Sequence, residues 1–115
     1  MWRRPLAKAD DGSAWRKVAR LADLPVGGVH RASLDGLPIV LCRIEAGVFA
    51  LTDRCSHAGW PLSEGRVRGE TLVCPYHGAR FSLKDGTPLA GPAREPVQCH
   101  SVRIEGDDIL IAKAP

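Results

Sequence analysis

Two thiols and two imidazoles recur in this 115-residue chain at spacings suited to holding metal. Cys55-Ser56-His57 reads C-x-H, sixteen residues intervene, and Cys74-Pro75-Tyr76-His77 reads C-x-x-H. Soft sulfur and borderline nitrogen suit tetrahedral iron or zinc and argue against magnesium or calcium, which take oxygen. In a two-finger zinc site the first pair is usually Cys-Cys and the second His-His. Here each loop offers one of each. That order suits a two-iron centre, because Cys55 and Cys74 can meet on one iron while His57 and His77 meet on the other.

The elements that must position these loops read as β. Trp15, Val18, Ala19 and Leu21 fit a first strand ending at the turn Leu24-Pro25-Val26-Gly27-Gly28. Val29 to Leu34 and Leu37 to Ile44 flank Asp35-Gly36, a hairpin signal, and Glu45-Ala46-Gly47 leads into Val48 to Thr52, giving a meander. Arg66 to Val73 reads as strand, turn, strand, a hairpin that leaves the first ligand loop and returns beside it. Ala79 to Leu83 resumes a strand and Lys84-Asp85-Gly86-Thr87 turns it, whereas Pro88 to Pro96 is too rich in proline and glycine for regular structure. Val97 to Ile104 and Ile109 to Ala112 complete the set, with Val102, Ile104, Ile109 and Ile111 expected to face inward. Cys42, within the apolar run of the third strand, reads as a core residue. Cys99, His30 and His100 lack partners at metal-ligand spacing and read as surface or sheet residues. No repeat and no convincing helix is present.

Composition agrees with one β-rich domain, with 12 Gly and 9 Pro among 115 residues. The formal charge is +3, from 16 basic residues scattered among 13 acidic ones. No basic run interleaved with aromatics supports nucleic-acid binding. Four cysteines would suggest a disulfide framework only in a secreted chain. Trp2-Arg3-Arg4-Pro5-Leu6-Ala7-Lys8 superficially resembles a twin-arginine tag, yet Ala9-Asp10-Asp11-Gly12 follows where an apolar stretch is required. No stretch approaches the length of a membrane span. The expectation is a soluble cytoplasmic protein with reduced thiols, a flexible tail over residues 1–13 and a folded domain over 14–115.

The run Cys55-Ser56-His57-Ala58-Gly59-Trp60-Pro61-Leu62-Ser63-Glu64-Gly65, followed by Cys74-Pro75-Tyr76-His77-Gly78-Ala79-Arg80-Phe81, resembles the cluster-binding region of Rieske [2Fe-2S] proteins. The nearest branch is the small ferredoxins that feed electrons to bacterial ring-hydroxylating dioxygenases, and the resemblance covers roughly residues 15 to 113. It implies an all-β Rieske fold, an antiparallel β-sandwich base with an inserted cluster-binding lobe at about 54–82. It implies a [2Fe-2S] cluster held by Cys55, His57, Cys74 and His77, with a proline-bearing loop, here 88–96, covering it. No catalytic residue is implied. The expected role is a monomeric one-electron carrier between a flavin-dependent or other ferredoxin reductase and a terminal Rieske oxygenase.

Mixed ligation has an electrostatic meaning. Two ferric ions, two sulfides, two thiolates and two neutral imidazoles sum to zero, whereas a four-thiolate centre starts two units more negative and resists reduction. Rieske centres accordingly span about −150 to +300 mV. In high-potential members an extra cysteine pair forms a disulfide, and Ser and Tyr hydroxyls donate to the cluster sulfurs. Trp60 and Tyr76 stand where those cysteines would be, and Ala79 and Phe81 where the hydroxyls would be. A midpoint of roughly −150 to −100 mV is the expectation, falling at alkaline pH as the imidazoles lose their remaining proton. Gly59 and Gly78 would let backbone amides approach the sulfurs. Trp60 either packs locally, covers the centre or meets a partner.

Three other readings are separable. The small subunit of an assimilatory nitrite reductase resembles the same fold, but some members of that branch lack the ligands that are all present here. Co-purification with a large haem-bearing partner would favour it. A zinc-stabilised interaction module would be colourless and give no rhombic paramagnetic resonance signal on reduction. A complete oxygenase subunit would need a second, larger domain with a two-histidine, one-carboxylate site.

Overall fold

Asp35 and Gly36 both take positive φ, 51° and 88°, the backbone of a two-residue hairpin turn whose twist matches its flanking strands. The computed structural model describes residues 14–56, 59–76, 78–90 and 94–112. Among these the chain forms β1 (Trp15–Arg20), β2 (Val29–Leu34), β3 (Leu37–Ile44), β4 (Gly47–Thr52), β5 (Arg66–Arg68), β6 (Thr71–Val73), β7 (Arg80–Ser82), β8 (Pro88–Ala90), β9 (Cys99–His100), β10 (Val102–Glu105) and β11 (Asp108–Ala112). The first sheet has the order β1-β11-β10, the second β2-β3-β4-β9 and the third β5-β6-β7-β8, with every pairing antiparallel. The meander read from the sequence is the body of the second sheet.

Strand β3 is the centre of the molecule. Ile39 and Leu41 pack with Ala19, Leu24, Ala50, Ile109 and Ile111 in the core shared by the first and second sheets. Val40 and Cys42 face the other way and pack with Leu51 of the second sheet, Leu72 and Phe81 of the third, and Leu83 just after β7. A strand buried on both faces reads as an unbroken apolar run, and each fully buried Leu, Ile or Val contributes about 1.5–3 kcal/mol. The fold is all-β as expected: a two-sheet sandwich, with the third sheet inserted between β4 and β9 and packed on the sandwich's outer face.

Four details differ from the sequence reading. The run Val97 to Ile104 is two strands: β9 pairs with β4 through Ala50↔His100 and Leu51↔Cys99, and β10 pairs with β11 through Val102↔Ile111. The chain changes sheets at Ser101, as strands do at sandwich corners, and alternation alone does not reveal which partner a strand takes. Ile104 lies opposite the fully buried Ile109 and so on the inward face, yet is 43% exposed, because β10 is an edge strand. Pro88 to Ala90, expected to be irregular, forms β8 at the edge of the third sheet, where proline as first residue forfeits no needed N–H. Leu21 belongs to a 3-10 turn, Leu21–Asp23, whose Asp23 carboxylate accepts the Arg20 N–H at 3.2 Å. The expected tail over 1–13 lies outside the described residues, as do 91–93 of the proline-bearing loop.

Candidate metal centre

Where β4 ends, a buried carboxylate closes the first ligand loop. Asp53 is 6% exposed, and burying a charge is costly unless it is paired and hydrogen-bonded. Its Oδ1 accepts the Ser63 N–H at 2.6 Å, its Oδ2 accepts the Ser63 hydroxyl at 2.6 Å, and Arg31 Nε lies 3.4 Å from Oδ2. The Arg31 Nε also donates to Ser63 Oγ at 3.0 Å. Residues 53 and 63 are thereby clasped, with Cys55 inside the loop, and β2 is tied to the base of that loop. A second 3-10 turn, Leu62–Glu64, follows from the clasp.

The two ligand loops share one hydrogen-bond plan. Cys55 N–H donates to the Trp60 carbonyl at 2.7 Å and Gly59 N–H to the Cys55 carbonyl at 2.8 Å. Cys74 N–H donates to the Ala79 carbonyl at 2.8 Å and Gly78 N–H to the Cys74 carbonyl at 3.1 Å. Each turn begins at cysteine and carries at its fifth place a glycine of positive φ, 78° and 74°, a conformation glycine adopts without strain. Counted from the cysteines, His57 matches Tyr76 and Ala58 matches His77, so the spacings C-x-H and C-x-x-H conceal the likeness. Cys55 and Cys74 are each 1% exposed and join one buried cluster with Val40, Leu72 and Phe81. None of Cys42, Cys55, Cys74 and Cys99 is in a disulfide. Two buried thiols on matching turns fit the sulfur half of the expected donor set. His57 and His77 lie outside the described residues.

The surroundings link the loops. Trp60 stacks on Tyr76, and the Tyr76 hydroxyl donates a short hydrogen bond to Glu64 Oε1. That bond, foremost, raises the phenol's pKa. Trp60 thus packs against the opposite loop, one of the roles expected of it. The Ser56 hydroxyl donates to the Glu95 carbonyl at 2.6 Å, fastening the first loop to the proline-bearing segment. Ala79 and Phe81 are fully buried, with no hydroxyl at either place. An open depression of about 400 Å³ beside the second loop is lined by residues including Glu64, Arg66, Cys74 and Gly78.

Cys42 is buried away from solvent, and its pKa is pushed up to about 12 by burial and then by the Asp53 charge. Cys99 is exposed on β9. His100 Nε2 meets Thr52 Oγ1 at 2.9 Å, and burial lowers its pKa. His30 lies on β2. The sequence reading missed Asp53, Ser63 and Arg31, whose one local signal was a carboxylate directly after the apolar strand Val48 to Thr52.

The family described as Rieske [2Fe-2S] domain matches residues 14–101. The chain is 37% identical to the ferredoxin component of biphenyl 2,3-dioxygenase from Rhodococcus jostii (strain RHA1), covering 85% of this chain and 92% of that one. Its fold is similar to the ferredoxin of carbazole 1,9a-dioxygenase from Nocardioides aromaticivorans IC177, with 33% identity, a TM-score of 0.81 and coverage of 86% and 97%. It is similar also to a chain solved in the complex of reduced oxygenase and oxidized ferredoxin in carbazole 1,9a-dioxygenase, with 29% identity, a TM-score of 0.79 and coverage of 85% and 92%.

Proposed function

This chain belongs to the Rieske [2Fe-2S] domain family, and on that premise we propose that it is a one-electron carrier passing electrons from a reductase to a terminal oxygenase, with no reaction of its own to catalyse. The observation that carries the reading is the pair of matching turns that bury Cys55 and Cys74 in one cluster. Cys55 and Cys74 would hold one iron, and His57 and His77 the other. A [2Fe-2S] group held in this way supplies reversible one-electron chemistry. The relatives named as dioxygenase ferredoxins, one of them solved with an oxygenase, support the choice of partners. Among the described residues no helix is long and apolar enough to cross a membrane.

The protein's part is to keep the two turns in place and to set how well added negative charge is tolerated. The Asp53–Ser63 clasp fixes the base of the first turn, and the Trp60–Tyr76 stack joins it to the second. Hydrogen bonds to the sulfurs raise such a potential. Ala79 and Phe81 offer none from their side chains, and the Tyr76 hydroxyl is engaged by Glu64. A midpoint of roughly −150 to −100 mV follows, at the lower end of the class. Redox titration of the iron-loaded protein, followed by paramagnetic resonance, tests both points. The expected result is a rhombic signal on reduction with a midpoint in that range. A midpoint well above zero would remove the low-potential assignment, and native material lacking iron and acid-labile sulfide would remove the carrier role.

A further inference from the structure

The third sheet has two chemically different faces. Val67, Leu72 and Phe81 pack into the core. The alternate positions oppose one another in the rows Arg66↔Val73↔Arg80 and Arg68↔Thr71↔Ser82, and directly opposed residues project to one face. Arg66, Arg68 and Arg80 are all exposed. Strand spacing sets Arg66 and Arg80 about 10 Å apart across Val73, and Arg68 about 7 Å along from Arg66.

Among the described residues, no ion pair engages these three arginines. Cations on the first sheet are balanced instead: Arg16 lies 3.6 Å from Asp35, Lys17 3.2 Å from Asp108 and Arg103 2.9 Å from Glu105. Gathering like charges on one sheet face opposes folding, so stability does not account for the arrangement. A complementary negative surface does. The patch also adjoins the second ligand turn: Arg66 lines the depression that includes Cys74 and Gly78, and Arg80 follows Ala79, whose carbonyl accepts the Cys74 N–H. Glu64, on the same rim, is engaged by Tyr76 and lies 3.9 Å from Arg31.

We infer that the outer face of the third sheet, centred on Arg66, Arg68 and Arg80, seats an acidic surface of the protein that accepts the electron. The inference rests on the carrier reading above and adds the sign of the partner's charge and the face it meets. Positive potential beside the second ligand turn raises the encounter rate with an acidic partner and is weakened by salt.

The test uses the iron-loaded protein with two model acceptors, native cytochrome c, which is basic, and its succinylated form, which is acidic. Electron transfer is followed by stopped flow and binding by thermophoresis, at low and high salt. The wild type should favour the succinylated acceptor at low salt and lose that preference at high salt. Arg66→Gln/Arg68→Gln/Arg80→Gln should slow its reduction by about 10-fold and weaken binding in parallel. A charge-matched Arg16→Gln/Lys17→Gln/Arg20→Gln variant on β1, across the sandwich, should keep the wild-type preference. Unchanged rates and affinity in the first variant would overturn the inference, as would equal losses in both variants or equally tight binding of a short DNA duplex. A protein with no reducible centre would fail the stopped-flow arm alone, and binding would still report on the arginine face.

Discussion

Trp60 of the first ligand loop stacks on Tyr76 of the second, with ring centroids 4.4 Å apart and planes inclined by 24°. Both rings remain nearly half exposed, so the stack acts as a surface clasp between turns whose cysteines are buried beneath. Such pairs contribute about 0.5–1.5 kcal/mol beyond the area they bury. In a double-mutant cycle of Trp60→Ala and Tyr76→Ala, urea unfolding of the iron-loaded protein should give a coupling of about 1 kcal/mol. Tyr76→Phe should keep most of it, since the stack survives without the bond to Glu64. Strictly additive losses would mean that the rings only lie side by side.

The Asp53 clasp should be worth more. Replacing Asp53 by Ala leaves the Ser63 N–H and hydroxyl without their acceptors at 2.6 Å, and unsatisfied buried groups cost about 1–3 kcal/mol. Asp53→Ala should lower the urea midpoint by the equivalent of about 2–3 kcal/mol. Ser63→Ala removes the hydroxyl's bond to Asp53 and the one it accepts from the exposed Arg31 but keeps the backbone contact, and should cost about 1 kcal/mol. The reading requires unchanged denaturant slopes, because a changed slope would report altered compactness instead.

Strands β2 to β4 were legible because their signals are local: apolar runs, separated by Asp35-Gly36 and Glu45-Ala46-Gly47. The two cysteine turns drew attention through short spacings, Cys-x-His and Cys-x-x-His, and the structure buries both thiols in one cluster. Asp53 and Ser63 were not, since they meet across a ten-residue loop and no local pattern joins a carboxylate to a serine so far along. The division at Ser101 was hidden because Val97 to Ile104 alternates as one strand would, and its two halves part only when two sheets compete for it. The arginine face looked like scattered charge in sequence. The hairpin of β5 and β6, extended by β7, puts those positions on one side.

Cys42 gives the fold an alkaline weakness. Its pKa is pushed from an ordinary 9.0 to about 12, chiefly by burial. Between those values the folded state keeps a proton that the unfolded chain has released, so stability falls as pH rises. The contribution is fully present below about pH 9 and is lost as pH climbs through about 12. Cys42→Ala lacks this proton. The wild type's stability relative to Cys42→Ala should therefore shrink by about 2–3 kcal/mol between about pH 8 and about pH 11, measured by urea unfolding. A thiol reagent at neutral pH should label Cys99, which is exposed, while Cys42 reacts only on unfolding. A constant difference across that range would show that the thiol is not shielded.

Gly65 is required for space rather than for backbone freedom. Its φ of −91° suits any residue, and its N–H caps the Leu62–Glu64 turn by donating to the Leu62 carbonyl at 2.9 Å. A Cβ there would lie 1.9 Å from the Val73 carbonyl oxygen, a contact that forces backbone to move. Val73 directly precedes Cys74, so the displacement passes into the second ligand turn. Gly65→Ala should destabilise the protein by about 3 kcal/mol, the upper end for overpacking, and purify with reduced iron content. Gly69→Ala is the control: its φ is 59°, nothing lies within 4 Å of the added carbon, and the left-handed backbone alone should cost about 1–2 kcal/mol. That variant should keep its iron. Equal iron content and equal melting temperatures in the two variants would show that Val73 yields without disturbing Cys74.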